Sequence, residues 1–181
     1  MKKSISLNFI KIITALFLLI AVNEKSSAQL TYSETITYLE NIAKNTENLT
    51  KKYDEKFTYR ITKTKFGTYK TDPKKVLFEY TREFSDNTTD VIQFIFNPKY
   101  IESFTKDTET STNGYNFATV RLSGNFVLKV VKQSDVKDYT QNTFSFPYIS
   151  GDNLVFERLK AAFLSLKSKS LAQDTLDPFA N

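Results

Sequence analysis

The apolar positions of this chain change period along its length, and each change marks an element. From Ile12 to Val22 they run almost without a break. From Tyr32 they recur every three or four residues, at Tyr32, Ile36, Leu39, Ile42 with Ala43, and Leu49, which predicts an amphipathic helix. Thr31-Tyr32-Ser33-Glu34 fits a capping box at its start. Asn45, Thr46 and Asn48 are poor helix formers and predict its end.

From Phe57 to Ile149 the period falls to two. Phe57, Tyr59 and Ile61 alternate with Thr58, Arg60 and Thr62, and Val76, Phe78, Tyr80 and Phe84 with Glu79, Thr81 and Glu83. These are half-buried strands with one wet face. Residues Val91 to Phe96 are apolar on both faces and predict a strand that sits centrally or beneath a helix. Phe117–Leu122 and Phe126–Val131 predict a further strand pair, and Phe144-Ser145-Phe146 a short last strand that Pro147 confines to an edge. Asp72-Pro73, Asp86-Asn87, Asn97-Pro98, Asn113-Gly114 and Gly124-Asn125 punctuate these runs with turn chemistry. None of the gaps leaves room for a crossover helix, so the sheet is antiparallel.

Helical spacing then returns. Asp152 is a good N-cap, and Val155, Phe156, Leu159, Ala162, Phe163 and Leu166 form an inner stripe. Glu157, Arg158, Lys160 and Lys167 lie outside it, and Lys167 and Lys169 suit the negative C-terminal end. From Ser170 to Asn181 the period is lost, which predicts a flexible tail. The fold class is therefore α+β: an N-terminal helix, an antiparallel meander of about six or seven strands, curved toward a barrel, and a C-terminal amphipathic helix packed on it. Residues 29–169 form a single domain in this reading.

The first 28 residues read as a cleavable export leader. Lys2 and Lys3 precede the apolar run, and Ser26-Ser27-Ala28 gives the small residues of a cleavage site between Ala28 and Gln29. Eleven residues of helix span roughly 16 Å, against roughly 30 Å of hydrocarbon, too short for an anchor. The expected location is thus periplasmic or extracellular. The chain has no Cys, which excludes a lipid-anchored lipoprotein and disulfides. It has no His, which removes Ser-His-Asp and Cys-His nucleophile systems and every zinc site built on His or Cys. Of the net charge of +5, the leader carries +3 through Lys2, Lys3, Lys11 and Lys25 against Glu24, leaving +2 interspersed along the rest. A nucleic-acid binder concentrates its basic residues in a stripe, so no nucleic-acid partner is expected.

The helix Phe-Glu-Arg-Leu-Lys-Ala-Ala-Phe-Leu-Ser-Leu (156–166), after an opening segment Thr-Ile-Thr-Tyr-Leu-Glu-Asn-Ile (35–42), resembles small, mostly uncharacterised exported proteins common in Bacteroidota. Their helix–sheet–helix architecture is similar to pleckstrin-homology-like barrels. The resemblance implies this fold and carries no catalytic residue.

Candidate chemistry is sparse. Ser103-Phe104-Thr105-Lys106 with Ser85-Asp86-Asn87 has the residue types of penicillin-binding enzymes, but the order is reversed and no Lys-Thr-Gly follows. Ser134 to Lys137 repeats the Ser-x-x-Lys pattern, which shows how readily this chain produces it. Glu79 and Glu83 share a strand face roughly 13 Å apart, beyond glycosidase geometry. The 16 Phe and 10 Tyr predict an aromatic core. Tyr69, Tyr100, Tyr115 and Tyr139, in or beside predicted loops, are candidate ligand-binding residues. Asn48-Leu49-Thr50 and Asn87-Thr88-Thr89 match the N-glycosylation pattern, and Asp174-Thr175-Leu176 looks like the short O-glycosylation signal of exported Bacteroidota proteins. No catalytic residue, metal or cofactor is assigned. The expected function is a non-enzymatic binding module for an unknown protein or small ligand. The alternatives are a carrier of an apolar ligand or lipid between sheet and C-terminal helix, and a His-free hydrolase.

Overall fold

The computed structural model describes residues 30–52, 58–106, 115–124, 127–132, 136–149 and 153–176. The leader with its Ala28/Gln29 junction, the Asn113-Gly114 turn, Ser134 and Asp152 lie outside these residues. From Tyr32 onward the chain forms one compact unit. Helix α1 (Tyr32–Lys44) leads into β1 (Thr50–Lys52), β2 (Thr58–Thr68), β3 (Val76–Phe84) and β4 (Thr89–Phe96). A 3-10 turn (Pro98–Tyr100) precedes β5 (Ile101–Lys106), β6 (Tyr115–Leu122), β7 (Val127–Lys132), β8 (Val136–Gln141) and β9 (Thr143–Ile149), and α2 (Asn153–Leu176) closes the fold. The class is α+β and every strand pair is antiparallel.

A single meander is replaced by two sheets, of order β1-β2-β3-β4-β7-β8 and β5-β6-β9, and among the described residues neither closes into a barrel. β6 and β7, expected to pair, lie in different sheets: β7 pairs with β4, and β6 with β5 and β9. Burial explains the exchange. Tyr115, Asn116, Phe117 and Ala118 are buried in succession, so both faces of β6 are covered. A strand with one wet face could not satisfy that pattern. Gly124 adopts φ 76, a left-handed conformation open to glycine, where the chain leaves β6 for the other sheet. Pro147 lies on β9, an edge of the smaller sheet, as its missing N–H requires.

The sheets meet through aromatic rings. Phe78 of β3 lies 4.8 Å from Phe146 of β9, and Phe94 and Phe96 of β4 lie 5.4 and 4.6 Å from Phe144, centroid to centroid. Phe163 of α2 reaches Phe66, Phe104, Phe144 and Phe146, joining both sheets to the helix. The apolar stripe of α1 buries Leu39, Ile42 and Ala43 in the same core.

β1 pairs only with residues 58–60 of β2, so the rest of that edge needs another partner. The turn after α1 supplies it. Asn48, at φ 66, donates its N–H to the Ile61 carbonyl at 2.7 Å, and Glu47 Oε1 accepts from the Thr64 N–H and hydroxyl at 2.6 and 2.7 Å. A register shift between Ile61 and Lys63 marks the same place. This covering protects a sheet edge from pairing with other chains.

α2 runs to Leu176, through residues where the apolar period predicts only a tail. Polar contacts replace the missing stripe. Asp174 binds Lys99 Nζ at 2.7 Å and Lys74 Nζ at 3.5 Å, and the Ser170 hydroxyl bonds to Asn97 Oδ1 at 3.2 Å. Asp174-Thr175-Leu176 is thus the last turn of a tethered helix, not part of a loose tail.

Candidate functional site

Residues directly opposite one another in antiparallel strands share a face of the sheet. Phe78, Phe94, Lys129 and Tyr139 form one such row across β3, β4, β7 and β8. Arg82 and Asp90 form another, four residues nearer the β3–β4 hairpin than Phe78 and Phe94, with the Tyr80–Ile92 row between them. Because Phe78 and Phe94 point into the core, Arg82, Asp90 and Lys129 lie on that inner face too. Three charged residues therefore occupy positions in phase with buried aromatics.

Arg82 Nη2 binds Asp90 Oδ2 at 2.7 Å, with side chains only 18% and 6% exposed. The guanidinium carbon lies 5.4 Å from the Tyr59 ring and 5.2 Å from that of Phe84, within cation–π range. Asp90 Oδ1 is buried without a hydrogen-bond partner among the described residues. Burial pushes the Tyr80 hydroxyl pKa well above its ordinary range, and Arg82 partly opposes this. Burial likewise raises Tyr115, helped by the neighbouring Tyr59. Lys129 moves downward, first through loss of water around its ammonium and then through repulsion by Arg82, with Asp90 opposing. The polar end of the inner face thus holds an ion pair, neutral tyrosine hydroxyls and a cation under electrostatic pressure.

An open pocket of ≈ 200 Å³ lies at the nearby edge, lined among others by Tyr59, Phe84, Arg60, Glu83, Ser85 and Asn87. Tyr59 and Phe84 contribute both to this pocket and to the surroundings of Arg82. The Arg60–Glu83 pair at its rim, at 3.1 Å, is internally neutral and well solvated. Such a rim gives no net charge with which to select a ligand.

The four tyrosines singled out from sequence are not gathered. Tyr69 follows β2, and Tyr100 ends the 3-10 turn under Lys99 Nζ, 5.1 Å from the ring centre. Tyr115 is fully buried at the start of β6. Tyr139 sits on the edge strand β8, 48% exposed. None of them lines the pocket. Tyr139 shares a row of the inner face with Lys129, whereas Tyr115 belongs to the smaller sheet and has Tyr59 and Tyr80 as electrostatic neighbours.

The remaining motifs have structural explanations. Asp86 accepts from the Thr88 N–H at 2.9 Å and its hydroxyl at 2.6 Å, and Asn87 takes φ 64, so Ser85-Asp86-Asn87 is the β3–β4 hairpin turn. Ser103 sits within β5 opposite Arg121. Glu79 accepts from Gln93 and Glu83 pairs with Arg60 on the outer face. Among the described residues, no cluster of three or more His, Cys, Asp or Glu could hold a metal, and no helix is long and apolar enough to cross a membrane.

Arg82, Asp90 and Lys129 carry a signal the sequence reading passed over. In Val76-x-Phe78-x-Tyr80-x-Arg82-x-Phe84 and Val127-x-Lys129-x-Val131 a charge stands on the apolar beat of a two-residue period. Comparison with protein-family models, with curated proteins and with solved structures finds no match to this chain.

Proposed function

We propose that this protein is an exported, non-enzymatic binding module that engages its ligand at the polar end of the inner face of the large sheet. The observation that carries this reading is charge in phase with the core in two rows, the Arg82–Asp90 pair beside the rings of Tyr59 and Phe84, and Lys129 beside Tyr139. Burying charge costs free energy unless it is compensated, so such a cluster is a candidate for function before it is a candidate for stability. The carrier alternative calls for a cavity between sheet and α2, on which the smaller sheet packs. Phe104 there lies 5.3 Å from Phe156 and from Phe163, and Tyr148 lies 5.9 Å from Phe156, so rings occupy that space. Export rests on the leader sequence and its Ala28/Gln29 junction.

Two measurements test the reading. Protein recovered from outside the cytoplasm of a producing bacterium should begin at Gln29 on N-terminal sequencing; an intact Met1 would remove the case for export. Generic ester, glycoside and peptide substrates should give no turnover that Asp90→Asn or Ser103→Ala abolishes. Turnover lost in either variant would make the protein an enzyme and end the binding-module reading.

A further inference from the structure

α2 carries a second stripe on the side away from the core. Leu159, Ala162, Phe163, Leu166 and Ser170 are buried along one side of the helix. Along the other, Leu154, Glu157, Ala161, Leu164, Ser168 and Leu171 are exposed at alternating spacings of three and four residues. In a helix of 24 residues, roughly 36 Å long, that spacing follows one face from end to end. Leu154, Leu164 and Leu171 are 57%, 47% and 44% exposed, three of the six large apolar side chains left in solvent among the described residues.

A solvent-facing helix side ordinarily carries its charges along the middle. Here they stand at the borders. At about 100° per residue, Lys160 and Lys167 flank the stripe on one side, and Arg158 and Lys169 on the other. None of these four forms an ion pair among the described residues. Of the acids on α2, Glu157 stands within the stripe, and Asp174 is held by Lys99 and Lys74. Singly scattered leucines on a surface need no explanation, but three on one seam between two cationic borders do.

We propose that the outer face of α2 docks an acidic amphipathic helix of a protein partner. Its apolar side seats on Leu154, Leu164 and Leu171, and its carboxylates meet Arg158, Lys160, Lys167 and Lys169. The small Ala161 and Ser168 between the leucines form the holes into which a partner's side chains fit. A second copy of this chain, packed face to face on the same seam, would bring two sets of cations together, which disfavours it. A membrane surface calls for a broad apolar face, whereas this one is narrow and holds the Glu157 carboxylate at its centre. The proposal goes beyond the small-ligand site on the large sheet and uses none of its residues.

Fluorescence anisotropy with two labelled synthetic helices of about three heptads tests it, both with Leu at a and d, one with Glu and the other with Lys at e and g. In low-salt buffer the Glu peptide should bind the purified protein saturably, more weakly as salt is added, and the Lys peptide should not bind. Leu164→Asp should weaken binding of the Glu peptide about tenfold or more while keeping the circular dichroism and Tm of the parent. Lys160→Glu with Lys167→Glu should transfer the preference to the Lys peptide, an exchange that a merely structural role for these lysines would not give. Lys65→Met, on the exposed face of β2, should bind as the parent does. Silence from both peptides, equal binding of both, or Glu-peptide binding untouched by Leu164→Asp overturns the proposal. A parent that sediments as a dimer, and a monomeric Leu164→Asp, overturns it in favour of a second copy. Binding to phosphatidylglycerol vesicles in place of the Glu peptide, lost in Leu164→Asp, overturns it in favour of a membrane surface.

Discussion

Removing the Asp90 carboxylate offers a quantitative check on the polar inner face. Exposed ion pairs contribute at most about 1 kcal/mol, whereas stripping one partner from a buried pair costs about 3–5 kcal/mol, because a desolvated charge is left alone. Side chains 18% and 6% exposed place Arg82–Asp90 nearer the second regime. Arg82 keeps its contacts with Tyr59 and Phe84 in Asp90→Ala, and its residual exposure admits some water, so the lower end, about 3 kcal/mol, is expected. For a unit spanning Tyr32–Asn181 that corresponds to a Tm lower by about 6–12 °C. Replacing both partners, as Arg82→Met with Asp90→Leu, removes the charges together and should fall within about 1 kcal/mol of the parent or above it. Urea unfolding of the parent, Arg82→Met, Asp90→Leu and the double variant completes a double-mutant cycle, and strong coupling between the sites is the expected outcome. A loss below about 1 kcal/mol for Asp90→Ala, or single effects that simply add, would mean the pair behaves as a surface pair.

Other perturbations reach other parts of the account. Phe163→Ala should cost about 3–5 kcal/mol in urea unfolding, since its ring meets both sheets; a loss under about 1 kcal/mol would mean the core closes over the gap. Glu47→Ala leaves the buried Thr64 hydroxyl and an edge N–H without their acceptor, which should cost about 1–3 kcal/mol and raise light scattering on storage. Asp174→Asn should speed amide exchange in residues 170–176. The hydrogen bond from Lys99 holds the Asp174 carboxyl below the usual carboxylate range, so its contribution is present above an unfolded value of about 3.9 and fades as pH falls through the lower folded value. The exchange difference should therefore be full at neutral pH and vanish in acid; a pH-independent difference would assign it to something other than the carboxylate.

The elements were legible because their periods were clean. Leu39, Ile42 and Ala43 announced α1, and the alternation through Phe78 and Tyr80 announced β3. What sequence could not convey was which strands would pair. The runs at Phe117 and Val127 are adjacent along the chain, yet covering both faces of β6 required a second layer, and burial on two faces depends on partners far away in sequence. The helix end failed for a related reason. Asp174 is held by Lys99 and Lys74, whose proximity exists only after folding. The candidate tyrosines were chosen by position near loops, and Tyr115 shows the weakness of that criterion, since a loop-flanking residue can still be fully buried. Arg82 and Lys129, charges standing on an apolar beat, were a signal the loop criterion does not read.

Two-dimensional 1H–15N NMR during separate titrations with a panel of small anions and neutral sugars bears most directly on the polar inner face as the binding site. The account predicts dose-dependent shifts confined to amides near residues 80–82, 90–92, 129–131 and 138–140. Shifts centred instead on α2 or on the Arg60–Glu83 pocket, or an unchanged spectrum at saturating ligand, would contradict it.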